Sequence, residues 1–154
     1  MGSASLRDMR IAGDYELDDD PGRLDLDVLW KFLSTEAYWG RWRTREQVEA
    51  AVAGSWRVVG AYERVTGRQV GFARAFSDGV TSAYLGDVFV VEDARGAGLG
   101  KEIVREMIDN GPGKDFRWML HTADAHELYR QFGFEEHTKG RYLERDGVGR
   151  EALR

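Results

Sequence analysis

The residues Arg95-Gly96-Ala97-Gly98-Leu99-Gly100-Lys101 have the types and spacing of an anion cradle. They follow the apolar run Tyr84-Leu85-Gly86-Asp87-Val88-Phe89-Val90-Val91 and open an amphipathic helix. A strand, a glycine-rich turn and a helix start bring unpaired backbone N–H groups together. The helix dipole there favours negative charge, so phosphate oxygens are the natural ligand.

Two nucleotide readings fail on spacing. A triphosphate-binding loop needs a glycine five residues before its Gly-Lys pair and Ser or Thr after it. Here those places hold Arg95 and Glu102. A dinucleotide fingerprint needs its third glycine three residues after the second, where this chain has Lys101. Arg95-x-x-Gly98-x-Gly100 instead resembles the pyrophosphate-binding loop of the GNAT superfamily of acyl-CoA-dependent N-acyltransferases. Downstream, Leu128-Tyr129-x-x-x-Gly133-Phe134 resembles the second motif of that family, in the expected order.

The resemblance, which covers residues 56–145 in detail, implies a sheet splayed after its central strand, with acetyl-CoA in the gap. It puts Val88 and Val90 where main-chain groups meet the acyl carbonyl and pantetheine. Arg95, Gly96, Gly98, Gly100 and Lys101 would surround the pyrophosphate. Tyr129 would be the general acid for the departing thiolate. A phenol suits that task because its ordinary pKa, near ~10, keeps it protonated at neutral pH. The bland alternative is a packed core aromatic, and the motif match favours the catalytic role.

A base for the amine is less legible. Alternation places Asp87 with Leu85 and Phe89 on one pleat face, where a buried unpaired carboxylate would be costly. Asp87 is therefore a candidate to bind or deprotonate the amine, or a salt-bridged structural residue. His121, at the end of a strand, could relay a proton. His126 reads as solvated, and His137 has no partner pattern; the three histidines lack metal-ligand spacing, so no metal is expected. The patch Tyr38-Trp39-Gly40-Arg41-Trp42-Arg43 falls where the family builds its acceptor wall. Tyr38, Trp39 and Trp42 could line the cleft, or the tryptophans could cover the sheet edge. Arg41 and Arg43 hint at a carboxylate on the acceptor.

These groups need a scaffold. Residues 14–17 read as a short strand, followed by a turn at Asp18 to Gly22. Leu24, Leu26, Leu29, Trp30 and Leu33 recur at helical spacing. Thr44 to Ala53 forms a second helix with a capping-box-like start and Gly54 at its end. Strands are expected at 55–62, 68–76 and 83–91, with turns at Thr66-Gly67 and Asp78-Gly79. A helix over 98–110 follows, stopped by Gly111-Pro112-Gly113, then a strand at 116–121. A helix over 124–132 has Asp124 placed to cap. A last strand begins at Gly133-Phe134, with Arg141 to Arg145 as its partner. Gly86 suits a bulge or a close ligand approach. The mixed order predicts an α+β fold with a mostly antiparallel central sheet and helices on both faces.

The 154 residues, 42% hydrophobic and 32% charged, suit a single domain spanning 1–154 with a sizeable core. With no cysteine in the chain, a cysteinyl acyl-enzyme and a thiolate metal site are excluded. The net charge of −5 and the lack of a basic stripe argue against nucleic-acid binding and suit a cationic amine. No membrane span or leader is legible, and a cytoplasmic location is expected. Acetyl transfer from acetyl-CoA to a small-molecule primary amine is the expected activity. Acetylation of a protein or peptide N-terminus and noncatalytic acyl-CoA sensing are the alternatives. A homodimer is among the assemblies this chain allows.

Overall fold

The computed structural model describes residues 9–38, 41–137 and 139–148. Among them, one sheet runs in chain order through β1 (Met9–Ala12), β2 (Tyr15–Asp18), β3 (Arg57–Glu63), β4 (Gln69–Ser77), β5 (Ser82–Val90) and β6 (Arg117–Met119). The first five strands are antiparallel neighbours; short turns join β1 to β2, β3 to β4 and β4 to β5, and the segment carrying two helices joins β2 to β3. A helical crossover between β5 and β6 makes that last pair parallel. The α-helices are α1 (Leu26–Thr35), α2 (Arg45–Ala53), α3 (Leu99–Met107) and α4 (His126–Arg130).

Local chemistry starts the first two helices. Asp25 accepts from the N–H groups of Asp27 and Val28 at 3.1 and 3.2 Å. Thr44 and Gln47 close a capping box through bonds of 3.1 and 2.8 Å, as their spacing foretold. The helices then cover opposite faces of the sheet. Leu29, Phe32 and Leu33 of α1 and Val48 and Val52 of α2 pack on Val58, Phe72 and Phe89. Leu99, Ile103, Val104 and Met107 of α3 pack on Val59, Ala61, Ala73, Ala75 and Leu85.

A bulge in β5 sets the geometry of the site. Phe72 pairs with Phe89, but Arg74 pairs with Gly86, so Ala73 faces two residues, Asp87 and Val88. Asp87 has φ of +53°, and among the described residues it is the sole non-glycine with positive φ. Aspartate tolerates this left-handed conformation better than most side chains. The extra residue reverses the alternation: Leu85 packs on the α3 side, whereas Phe89 stacks on Phe32 of α1 at 4.2 Å. The expected shared face for Leu85, Asp87 and Phe89 is therefore incorrect, because strict period-two counting fails across an inserted residue.

Asp87 is 6% exposed and ion-paired. Arg43, between α1 and α2, donates to both carboxylate oxygens at 2.9 and 2.8 Å. Arg74 Nε on β4 donates to Oδ2 at 2.7 Å. Burial opposes the charge, but the two guanidiniums hold the carboxyl at a pKa of about 2. Past the bulge the sheet opens on its other side. β5 and β6 pair from Ser82↔Arg117 to Tyr84↔Met119 and go no further. Among the described residues, the edge of β5 from Leu85 onward lacks a β6 partner.

Other elements differ from expectation. β1 was not anticipated in the polar N-terminal stretch, where Arg10 is tied to Glu102 and Glu106 of α3 at 3.1 and 2.6 Å. α4 is shorter than 124–132, and Thr122 rather than Asp124 accepts the nearby N–H, from Ala125 at 3.0 Å. No strand forms at 133–137 or 141–147; Phe134 instead sets its ring edge-on to Tyr129 at 5.8 Å.

Replacing Asp87 by Ala would leave two part-buried guanidiniums without their shared carboxylate, and unfolding free energy should fall by about 3–5 kcal/mol in urea melts. Asp87→Asn isolates the charge. Because the folded carboxyl has a depressed pKa, its ionisation stabilises the protein above about pH 4 and ceases to do so as pH falls towards about 2. The wild-type advantage over Asp87→Asn, roughly 2 kcal/mol from ionisation at pH 6, should shrink through that window. A gap independent of pH would contradict the ion-pair account.

Candidate active site

The glycine loop joins the end of β5 to α3. Gly96 and Gly98 have φ of +92° and +76°, and a Cβ at either would meet nothing within 4 Å. Backbone conformation rather than lack of space demands glycine there. Gly98 is the N-cap of α3 and offers no side-chain cap, so the first-turn N–H groups keep their capacity for an anion. A Cβ on Gly100 would lie 3.8 Å from Val90 Cγ2, an ordinary contact. Leu99, 2% exposed, anchors the helix start in the core while Lys101 is exposed. Arg95 Nε donates to the Val90 carbonyl at 2.9 Å, which fixes the loop to the strand end.

Beside the opened edge of β5 lies a cavity of about 530 Å³. Its lining brings together several residues singled out by sequence: Tyr38, Trp42, Asp87, Val88, His121 and Tyr129. Val90 and the loop from Arg95 to Lys101 lie outside that lining, farther along at the end of β5. Trp39 falls outside the described residues. The Tyr38 hydroxyl accepts from the Ala123 N–H at 3.1 Å and ties the α1–α2 loop to the segment before α4.

Tyr129 is 8% exposed, yet it borders the cavity. Gly133, with φ of +86°, turns the chain back so that Phe134 packs on the Tyr129 ring. The Gly-Phe pair of the second motif thus holds the tyrosine in place. Burial, reinforced by Asp124 and Tyr38, pushes the Tyr129 phenol up to about 12. Asp87 has the geometry of the salt-bridged alternative. With a pKa near 2, a carboxylate clamped by Arg43 and Arg74 is a poor acceptor for an ammonium proton. Arg43 is likewise committed to Asp87, which removes it as support for an acceptor carboxylate; Arg41 is exposed.

The cavity also contains residues that sequence reasoning passed over: Arg74, Phe76, Tyr84, Tyr142 and Glu144. Arg74 had a signal, a charge between Phe72 and Phe76 in an otherwise apolar strand. Tyr142 and Glu144 had none, because residues 141–147 form neither helix nor strand. No helix among the described residues is long and apolar enough to cross a membrane.

Comparison with known proteins agrees with this geometry. The family model for the acetyltransferase (GNAT) domain matches residues 54–136, more than half of the chain. A crystal structure from Xanthomonas campestris pv. campestris, provisionally assigned as a GNAT-family acetyltransferase, is 33% identical with a TM-score of 0.79. That match covers 88% of this chain and 94% of the other. The Gibberella zeae protein FG08082, whose name assigns it provisionally to the acetyltransferases, is 29% identical over 130 residues, 82% of this chain and 68% of that protein. TAP1 of Glycine max, named a histone acetyltransferase, is 36% identical over 75 residues, 47% of this chain and 32% of its own length. The chain belongs to the GNAT family of acyl-CoA-dependent N-acyltransferases.

Proposed function

We propose that this protein transfers an acetyl group from acetyl-CoA directly to the primary amine of a small molecule. The observation that carries the reading is the cavity lined by both Tyr129 and Val88, beside the stretch of β5 that has no β6 partner among the described residues. In this reading the pantetheine lies along that edge, with the main chain of Val88 and Val90 as its partners. The pyrophosphate rests on the cradle formed by Arg95, Gly96, Gly98, Gly100 and Lys101. The aromatic walls of Tyr38, Trp42 and Phe76 suit an acceptor with an apolar body, and no cysteine is available to carry the acetyl group.

The high pKa of Tyr129 defines its role. Full proton transfer to a thiolate with pKa of about 8.5 would be uphill by roughly 5 kcal/mol. Tyr129 therefore acts as a hydrogen-bond donor to the sulfur as the C–S bond breaks. Asp87 acts through the backbone: with Arg43 and Arg74 it holds the bulge that aims Val88.

An amine panel assayed by release of free CoA thiol tests the reading. Turnover with small primary amines is expected; heat of acetyl-CoA binding without turnover of any amine would instead favour a sensor. Tyr129→Phe should lower kcat by about 10- to 1000-fold while the acetyl-CoA Kd stays within about threefold; an unchanged kcat removes Tyr129 from the chemistry. Gly98→Ala places a Cβ in the left-handed region, which costs about 1–2 kcal/mol. It should weaken acetyl-CoA binding about tenfold by calorimetry, and unaltered affinity would contradict the cradle.

A further inference from the structure

A carboxylate, an imidazole and a phenol meet at the cavity, each from a different segment of the chain. Tyr84, on β5 before the bulge, shares a hydrogen bond between its hydroxyl and His121 Nδ1. Their rings lie 5.6 Å apart and tilted by 43°. On the far side of the imidazole, Glu144 Oε1 lies 3.7 Å from His121 Nε2. Both rings are braced by neighbours. Phe76 stacks on Tyr84 at 4.9 Å, and Tyr142 stands edge-on to His121 at 5.2 Å. The Tyr142 hydroxyl donates to Glu144 Oε1 at 2.7 Å, which orients the carboxylate. Tyr84, His121 and Glu144 line the same cavity as Tyr129 and Val88.

We propose that Tyr84, His121 and Glu144 form the proton path that deprotonates the acceptor ammonium. The proposal rests on the acetyl-transfer reading of this cleft. The Tyr84 oxygen takes one ammonium proton while its own hydroxyl proton passes to His121 Nδ1. The products are a neutral amine, an unchanged phenol and an imidazolium. His121 keeps its other proton on Nε2, which faces the Glu144 carboxylate. The His121 side chain is 52% exposed, so the proton then leaves to water. The neutral amine attacks the thioester carbonyl, a C–N bond forms and the C–S bond breaks. The second nitrogen proton ends on the sulfur as CoA thiol.

Other charged groups at the cavity are differently placed. Arg74 of β4 and Arg43 are bound to Asp87. Asp124 precedes α4 and faces Tyr129, and Arg145 comes from the same segment as Glu144.

The test compares two nucleophiles with acetyl-CoA and the full-length protein. Primary alkylamines are ammonium ions at pH 7.5 and need the path; hydroxylamine is neutral there and does not. Tyr84→Phe keeps the ring stacked on Phe76, and His121→Gln and Glu144→Gln remove the other two groups. Tyr84→Phe and His121→Gln should lower kcat/KM for alkylamines about 100-fold and for hydroxylamine by less than about threefold. Glu144→Gln should cost alkylamine turnover about tenfold. The alkylamine loss should diminish towards pH 9.5, where water itself supplies free amine. Equal losses with both nucleophiles would mean a structural role and overturn the path, as would alkylamine rates unchanged in all three variants. Wild-type silence with hydroxylamine and every alkylamine would overturn the transferase reading itself, a distinct failure.

Discussion

The structure depends on one inserted residue. Placing Asp87 and Val88 opposite Ala73 reverses the alternation of β5, so the strand serves both cores: Leu85 towards α3 and Phe89 towards α1. An insertion with positive φ in a central strand is unfavourable unless neighbouring contacts hold it. The paired guanidiniums of Arg43 and Arg74 are those contacts. Removing the carboxylate would therefore disturb the fold and the site together. The same ion pairs hold the Asp87 carboxyl at a pKa of about 2, which suits a structural role better than that of a base.

The bulge lies where the sheet divides. β5 and β6 run in parallel through Tyr84 and then separate, leaving strand-edge N–H and C=O groups beside a cavity. An extended chain bearing amides, such as pantetheine, satisfies such an edge in the way another strand would. The glycine loop continues the same line to the start of α3, where unpaired N–H groups and the helix dipole suit a pyrophosphate. On the proposed reading, one strand and the turn that follows it bind the full length of the donor, and the acceptor end is left to side chains from other elements.

What was legible in the sequence was local. The Thr44–Gln47 capping box, the glycine loop and the Tyr129–Gly133–Phe134 spacing each express a requirement met within a few residues. Both motifs were read for the right family, and from β2 to α4 the strands and helices come in the order that periodicity and turns predicted. The rest depends on partners distant in the chain. β1 is held by Arg10 reaching across to Glu102 and Glu106, and the partners of Asp87 lie 44 and 13 residues away. No period could announce that Glu144, in a segment without helix or strand, would stand beside His121.

The central claim is that acetyl-CoA occupies the opened edge of β5 and the cradle after it. The most direct measurement follows backbone amide resonances by NMR as acetyl-CoA is added. The account predicts that Val88, Val90 and the amides from Gly96 to Lys101 shift together and saturate with one affinity. Shifts confined instead to the separate cavity of about 700 Å³ beside Trp56 and Arg57, with the β5 and loop amides unmoved, would contradict it.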